Sequence, residues 1–171
     1  MSVVIKQAPI EQKPVLERLM QLYLYDLSEV DDAGDLNDQG VWDRDDKYFD
    51  LYWDEPGRTP FVIYSDNKIA GFILINEHFN IPENEGGKAI AEFFILRRYR
   101  NKGVGKTAAF EIFDKFPGKW EVDVASTHPD SEKFWEKVIR EYTNGKFTKV
   151  SGTENWKGPI YSLVSSNDLN H

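Results

Sequence analysis

The stretch 97-RRYRNKGVGKTAA-109 decides how the rest of the chain is interpreted, because it follows an apolar run and opens a helical pattern. It is compatible with three kinds of phosphate-binding loop. The segment 105-GKT-107 ends like a nucleotide-binding P-loop, and 103-GVGKTA-108 fits the dinucleotide fingerprint GxGxxA. The segment 100-RNKGVG-105 fits a third pattern, R-x-x-G-x-G. The function depends on which phosphate this loop would hold.

Two of these interpretations meet difficulties. A P-loop requires a glycine where this chain has Arg100, and arginine adopts the tight turn around phosphates poorly. The dinucleotide fingerprint should open a βαβ unit with an acidic residue about 20 residues further on, and Asp123 lies at that spacing from Gly103. A single GxGxxA is a common accident, however, and one βαβ unit does not make a doubly wound sheet. Both remain as weaker alternatives.

The third pattern agrees with its surroundings. The free N–H groups at a helix N-terminus, together with the positive end of the helix dipole, form an anion site. Gly103 and Gly105 would let the backbone approach phosphate oxygens closely. Basic residues are concentrated here in a chain whose net charge is −8, namely Arg97, Arg98, Arg100, Lys102 and Lys106. The plain alternative is a solvated basic turn that caps a helix.

Length and composition favour one globular domain, which we expect to span residues 1–171. The chain is 40% hydrophobic and 14% aromatic, which is typical of a packed core. It has no apolar run of about 18 residues, and the N-terminal segment lacks the basic and apolar regions of a signal peptide. We therefore expect a soluble, cytoplasmic protein with no membrane partner.

Several kinds of chemistry are disfavoured by the residue counts. The chain has no cysteine, which excludes disulfides, thiolate nucleophiles and cysteine metal sites. His78, His128 and His171 are too scattered to suggest a metal cluster, so no metal is expected. The net charge argues against a general nucleic-acid-binding role but is compatible with a cationic substrate.

Periodicity predicts an α+β domain with the order β-α-α-β-β-β-α-β-α-β-β. Its mixed central sheet would have about six to seven strands, flanked by helices. A parallel, right-handed crossover should join Lys88–Leu96 to Trp120–Ala125. The other predicted strands are Val3–Ile5, Pro60–Ser65, Lys68–Glu77, Phe147–Val150 and Ile160–Val164, and the predicted helices are Glu11–Val30, Arg44–Tyr52, Val104–Phe116 and Ser131–Glu141.

At this point the sequence resembles the GNAT superfamily of acetyl-CoA-dependent N-acyltransferases. The segment 90-IAEFFILRRYRNKGVGKTAAFEIF-113 is similar to the family's strand, R-x-x-G-x-G loop and pyrophosphate helix. The segment 119-KWEVDVASTHPDSEKFWEKV-138 is similar to the family's next strand, loop and helix, and the element order matches the fold across nearly the whole chain. The continuation 139-IREYTNGKF-147 resembles a bacterial subgroup of acetyltransferases with no assigned substrate.

The resemblance implies how the donor would bind. Acetyl-CoA, as a co-substrate, would lie between two strands that separate, here Lys88–Leu96 and Trp120–Ala125. Pantetheine amides would pair with the backbone near Phe94, Ile95 and Leu96. The pyrophosphate would meet the loop residues Arg100, Asn101, Lys102, Gly103, Val104, Gly105 and Lys106. An amine would attack the thioester directly in a ternary complex, which suits a chain without cysteine, and backbone N–H groups would stabilise the oxyanion.

The acceptor amine must lose a proton, and a carboxylate can take it. Glu92 and Asp123 are the candidates, one on each separating strand. Glu92 lies among apolar residues, where burial would raise its pKa, and Asp123 alternates with valines. Glu121 is less favoured because it flanks the predicted strand start. The alternative for each carboxylate is an ordinary solvent-facing strand residue.

Two positions depart from the family pattern. Trp135 stands where the family often has a tyrosine acting as general acid, so it is assigned to cofactor contact and not to proton donation. Tyr142, about two turns further along, is a substitute acid, or the thiolate leaves unassisted. His128 stands where an asparagine often contacts the cofactor, and it can still donate one hydrogen bond. It could equally be an ordinary loop histidine.

The acceptor side is suggested by the acidic segment from Asp26 to Glu55. This segment predicts a cationic acceptor, a small-molecule or peptide amine, which Trp42, Tyr48, Tyr52 and Trp53 could enclose. The alternative without a binding role is a solvated loop whose aromatic residues pack in the core. Dimers are common in the superfamily, so a homodimer is an open expectation. The competing functions are an acyl-CoA-binding module with weak or no catalytic activity and a nucleotide-binding protein.

Overall fold

The computed structural model describes residues 1–31, 34–43 and 48–166. Within these residues the helices are α1 (Lys13–Leu27), α2 (Val104–Lys115) and α3 (Pro129–Tyr142). The strands in the same ranges are β1 (Val3–Gln7), β2 (Thr59–Ser65), β3 (Lys68–Asn76), β4 (Lys88–Ile95), β5 (Gly118–Asp123), β6 (Thr148–Gly152) and β7 (Lys157–Ser165). They form a seven-stranded mixed sheet in the order β1-β2-β3-β4-β5-β7-β6. The predicted α+β class is confirmed.

The hairpin of β2 and β3 follows from its turn residues. Asp66 and Asn67 both have positive φ, 48° and 61°, which is the backbone of a type I′ turn and suits the twist of two antiparallel strands. Strand β1 pairs antiparallel with β2 on the outer side. Strands β4 and β5 are parallel and are connected through α2, as the predicted crossover requires.

Helix α1 is shorter than the predicted Glu11–Val30. A 3₁₀ turn over Ile10–Gln12 precedes it, and Pro14 lies in its first turn, where a missing N–H costs nothing. The N–H groups of Val30 and Asp31 both donate to the carbonyl oxygen of Leu27, which closes the helix in a turn. Its buried residues pack on one face of the sheet with Phe72, Leu74 and Phe94.

The second predicted helix is only partly within the described residues. Arg44–Lys47 lie outside them, and the remainder contains a single 3₁₀ turn, Asp50–Tyr52. Phe49 and Tyr52 are buried three residues apart, a spacing that a 3₁₀ turn places on one side. The described part of this segment is therefore anchored by packing without forming an α-helix.

Helices α2 and α3 cover the other face of the sheet. Phe113, Trp120 and Tyr142 are fully buried there, and the ring centroids of Phe113 and Trp120 lie 5.1 Å apart. Strand β5 begins at Gly118, two residues before the predicted start, so Glu121 lies inside the strand. Among the described helices, none combines the length and the apolar character needed to cross a lipid bilayer.

Candidate active site between strands β4 and β5

The site begins where two parallel strands stop pairing. Strands β4 and β5 pair only from Lys88 with Trp120 to Ile90 with Val122. On the other side of β4, Leu74 pairs with Glu92 and Ile75 with Ile90, so Ala91 is an extra, bulged residue. A bulge bends a strand and increases its twist. The two strands therefore separate from Ala91 and Asp123 onward and leave one edge of β4 without a partner strand.

Each separated strand has a glycine in the neighbouring strand on the side away from the opening. A Cβ added to Gly71 would lie 1.9 Å from the carbonyl oxygen of Phe94 in β4. A Cβ added to Gly158 would lie 2.1 Å from the carbonyl oxygen of Val124, just after β5. Only glycine permits such close approach of two backbones. Strands β3 and β7 are thus in direct backbone contact with the two sides of the opening.

The loop after β4 has the backbone of an anion site. Asn101 and Gly103 have positive φ, 57° and 82°, and α2 begins at Val104. The N–H of Thr107 donates to the carbonyl oxygen of Gly103 at 3.0 Å. The backbone N–H groups that come before Thr107 in α2 have no acceptor within the helix, so they point out of its N-terminus. Gly105 packs under Phe134 of α3, where a Cβ would lie 3.1 Å from the ring.

The arginines of this loop are held by helix α1. Arg97 Nε and Arg100 Nη2 donate to the two carboxylate oxygens of Asp26, at 2.7 and 2.5 Å. Arg100 Nε also donates to the carbonyl oxygen of Ile95 at 2.8 Å. Burial alone would raise the pKa of Asp26, but the two guanidinium groups outweigh it and keep that pKa below its usual value.

The loop after β5 is tied to the same helix end. Asp31 accepts from Thr127 Oγ1 at 2.8 Å, and its other oxygen lies 2.7 Å from His128 Nε2. Asp26 and Asp31 therefore connect the end of α1 to both loops that follow the separated strands. We call these contacts the two tethers.

Asp123 is a carboxyl group of the cleft whose pKa is shifted by its surroundings. Its Oδ2 accepts from Asn80 Nδ2 at 2.7 Å, and its Oδ1 is buried without a hydrogen-bond partner. Burial raises the pKa of Asp123 to about 7, and the nearby charge of Glu121 acts in the same direction. Asp123 can therefore exchange a proton near neutral pH.

Glu92 lines the same cleft and is engaged by Tyr23 of α1. Burial raises the pKa of Tyr23 well above its usual value, and the charge of Glu92 and a hydrogen bond with it raise that pKa further. Because Tyr23 keeps its proton, it can donate it to the carboxylate of Glu92. The structure thus brings both predicted carboxylates to one cleft, in different environments.

The family is established by sequence. Residues 22–139 match the acetyltransferase (GNAT) family. This chain belongs to the GNAT family of acetyltransferases. A comparison with curated proteins found no sequence match.

Solved structures share the fold of this acetyltransferase. An acetyltransferase from Thermus thermophilus has a TM-score of 0.68 at 12% identity, covering 96% of this chain and 97% of its own. PaiA N-acetyltransferase from Thermoplasma acidophilum, in complex with coenzyme A, has 0.63 at 16% identity, covering 96% and 99%. The ribosomal-protein-S18-alanine N-acetyltransferase from Escherichia coli has 0.56 at 12% identity, covering 99% of each chain.

The acetyltransferase also contains a carboxylate, Glu121, that its position in the sequence disfavours as a base. Glu121 is fully buried and accepts hydrogen bonds from the N–H groups of Asn80 and Ile81, at 2.6 and 3.1 Å, and from Asn84 Nδ2 at 2.7 Å. The expectation that it flanks the strand start is wrong, since it lies within β5. The alternation in 119-KWEVDVA-125 could have indicated it, because Glu121 and Asp123 share one face of the strand.

Trp135 and Tyr142 lie on the same buried face of α3, but only Trp135 lines the cleft. Trp135 packs edge-on against Phe93 of β4 with ring centroids 4.9 Å apart. The Tyr142 hydroxyl is buried beneath α2 and donates to Asp114 Oδ1 at 2.6 Å. Burial and Asp114 raise the pKa of Tyr142 well above its usual value. The structure does not bring Tyr142 to the cleft, because the two turns between them move it away along the helix.

The cleft has a volume of about 410 Å³, within the range of small-molecule sites. Its described lining has no lysine or arginine, and its carboxylates are Asp31, Asp43, Glu92 and Asp123. Tyr23, Trp135 and Trp156 supply aromatic surface.

The aromatic residues predicted to enclose the acceptor lie elsewhere. Trp42 Nε1 donates to the carbonyl oxygen of Gly34, and Trp53 Nε1 to that of Ala8. Tyr48 and Tyr52 pack beside Arg58, whose guanidinium carbon lies 5.2 and 5.6 Å from their ring centroids. None of these four aromatic residues is among the described residues that line the cleft. Tyr52 is buried, whereas Tyr48 is 49% exposed.

Proposed function

We propose that this acetyltransferase binds acetyl-CoA between β4 and β5 and transfers the acetyl group to a primary amine by direct attack. The single observation that carries the proposal is the separation of the two strands at Ala91, with the glycine loop at one side of the opening. The unpaired edge of β4 near Phe94–Leu96 would accept pantetheine. The pyrophosphate would meet the N–H groups of Arg100–Lys106 at the start of α2.

The remaining donor contacts come from α3 and the loop before it. Trp135 lines the cleft and offers an apolar wall to pantetheine. His128 also lines it and would contact the cofactor from the β5 side, although in the free protein it pairs with Asp31.

Asp123 is proposed as the general base. Its ionised carboxylate would take a proton from the acceptor ammonium, giving a neutral amine and a protonated carboxyl group. The amine nitrogen then forms a bond to the thioester carbon, the C–S bond breaks, and the sulfur leaves with the bonding electrons as CoA thiolate. The second amine proton goes to solvent. Glu92 is less suited because Tyr23 already donates to it.

No tyrosine is assigned as general acid. Trp135 has no hydroxyl, and Tyr142 is buried at Asp114, remote from the cleft lining. CoA thiolate would leave unassisted, since a thiolate is a good leaving group.

A cationic amine is the proposed acceptor class. The described cleft lining carries four carboxylates and no basic side chain except His128. A cation entering this cleft would be attracted by the carboxylates, and Tyr23 and Trp156 would offer ring faces to it.

Native mass spectrometry with acetyl-CoA, ATP and NAD tests the donor, followed by thiol release with a panel of amines. Bound acetyl-CoA and thiol release with polyamines or lysine peptides are the expected results. CoA bound without turnover would favour the alternative, an acyl-CoA-binding module with weak or no activity. Binding of ATP or NAD with no CoA binding would overturn the proposal.

The double variant Arg100→Ala, Gly103→Ala should weaken acetyl-CoA binding at least tenfold, a loss of about 1.4 kcal/mol. The change removes one cation and forces a Cβ into positive φ at position 103. Isothermal titration calorimetry measures the dissociation constant, with circular dichroism to verify folding. Arg140→Ala, on the exposed side of α3, is the matched control. Unchanged binding by the folded double variant would remove the loop from the donor site.

Asp26→Asn should have the opposite effect and tighten binding by about three- to tenfold. The wild-type carboxylate holds Arg97 and Arg100 in ion pairs, and an amide would release their charge toward the pyrophosphate. The same calorimetric titration measures it, with Asp130→Asn as control because that side chain is 99% exposed. Weaker binding in Asp26→Asn would mean that the tether positions the loop and does not compete for it.

A further inference from the structure

We infer that Glu121 is a positioning residue which, through Asn80, fixes the orientation of the Asp123 carboxylate in the wall of the cleft. The inference rests on the proposed role of Asp123 as general base. It concerns a residue that lies beneath the cleft and does not line it.

The carboxylate of Glu121 is buried but fully bonded. Both of its oxygens accept N–H hydrogen bonds from Asn80, Ile81 and Asn84, all in the segment between β3 and β4. Asn84 Nδ2 also donates to Ser162 Oγ of β7 at 2.8 Å. A buried carboxylate with this many donors fixes the conformation of the segment that supplies them. Glu121 therefore anchors this segment against β5.

Asn80 connects Glu121 to Asp123 through two hydrogen bonds. Its backbone N–H donates to Glu121 at 2.6 Å, while its side-chain Nδ2 donates to Asp123 Oδ2 at 2.7 Å. Asn80 is thus bonded to two carboxylates, Glu121 and Asp123, which lie two residues apart on the same face of β5. Because Asn80 occupies Oδ2, the unpartnered oxygen is Oδ1. The Asn80 side chain sets the orientation of the Asp123 carboxylate, and Glu121 fixes the backbone that carries this side chain.

Glu121 and Asn80 act on the charge of Asp123 in opposite directions. Burial raises the pKa of Asp123 most, the Asn80 hydrogen bond lowers it, and Glu121 raises it. The other titratable groups that face the cleft beside Asp123 are Glu92 from β4, Tyr23 from α1, and Asp31, Asp43 and His128. A base whose pKa lies near the working pH is the most effective in proton transfer. The opposite effects of Glu121 and Asn80 on the pKa of Asp123 partly offset each other, while burial keeps that pKa near 7.

The test follows the ionisation of Asp123 by NMR in protein labelled with ¹³C at the aspartate carboxyl. The resonance is assigned by its loss in Asp123→Asn. In wild-type protein its midpoint is expected near pH 7. Glu121→Gln should move the midpoint down by about one pH unit, and Asn80→Ala should move it up by a similar amount. Glu85→Gln, an exposed residue of the same segment, should leave it unchanged.

Opposite shifts separate a positioning role from a structural one, because mere loss of packing would not move the midpoint in both directions. The acidic limb of kcat, measured with acetyl-CoA and spermine as probe acceptor, should move with the NMR midpoint. If Glu121→Gln does not fold, the upward shift in Asn80→Ala still tests the inference. Unmoved midpoints in both variants would overturn it even if Asp123→Asn is inactive. An active Asp123→Asn would instead overturn the proposed base.

Discussion

Asp123→Asn should lower kcat by about 10²–10⁴-fold while acetyl-CoA binding stays within twofold of wild type. Asparagine keeps the shape of the side chain and can still accept from Asn80, but it cannot take a proton from the acceptor ammonium. Steady-state kinetics with the best amine of the panel measures kcat, and calorimetry measures donor binding. The wild-type rate should rise as the pH increases through about 7, because only the ionised carboxylate is a base.

The same variant should be more stable than wild type above neutral pH. The pKa of Asp123 is raised from its ordinary value to about 7 in the folded protein, so the folded state binds the proton more tightly than the unfolded state. The stabilising contribution of that proton is complete below about pH 4 and is lost as the pH rises through 7. Asparagine removes this dependence. Thermal unfolding at pH 5 and pH 8 should give a larger Tm advantage for the variant at pH 8.

Glu92→Gln is the matched control for the base assignment, since Glu92 lies on the opposite strand of the same cleft. It should reduce kcat much less than Asp123→Asn does. If the order of the two variants is reversed, Glu92 is the base and Asp123 a structural carboxyl group.

Gly71→Ala should destabilise the protein by about 1–3 kcal/mol or more and also weaken acetyl-CoA binding. The new Cβ would lie 1.9 Å from the Phe94 carbonyl oxygen, so β3 and β4 must move apart. Because β4 forms one side of the opening, the movement would displace the edge proposed to hold pantetheine. Urea unfolding measures the free energy of unfolding, and calorimetry measures donor binding.

Gly86→Ala is the control for Gly71→Ala, because it replaces a glycine with alanine where no clash with another strand follows. Position 86 has positive φ but an added methyl group meets no atom within 4 Å. Its cost should be about 1 kcal/mol, and donor binding should be unchanged. Equal effects of the two variants would mean that contact between β3 and β4 does not shape the cleft.

The fold was largely predictable because its signals are local. The Asp66-Asn67 turn, the apolar run of β4 and the Gly-containing loop before α2 each act over a few residues. The length of α1 and the missing second helix in the described residues depend on how segments pack. Periodicity does not report that packing, and buried residues three apart fit a 3₁₀ turn as well as an α-helix.

The site was predictable in part for the same reason. Glu92, Asp123, His128 and Trp135 were identified from spacing and resemblance, and all line one cleft. Helical spacing alone predicts Tyr142 near the cleft, whereas its hydroxyl bonds to Asp114 in α2. The bonds of Glu121 to the segment before β4 join residues far apart in sequence. No local pattern encodes such pairs.

The two tethers give the cleft a mechanical property. Asp26 near the end of α1 is bonded to the loop after β4, and Asp31 in the turn that follows α1 is bonded to the loop after β5. Spreading the separated strands would therefore stretch the ion pairs of Asp26 and the hydrogen-bond contacts of Asp31. Added salt should therefore loosen the cleft, because it screens the partly exposed ion pairs of Asp26 with Arg97 and Arg100.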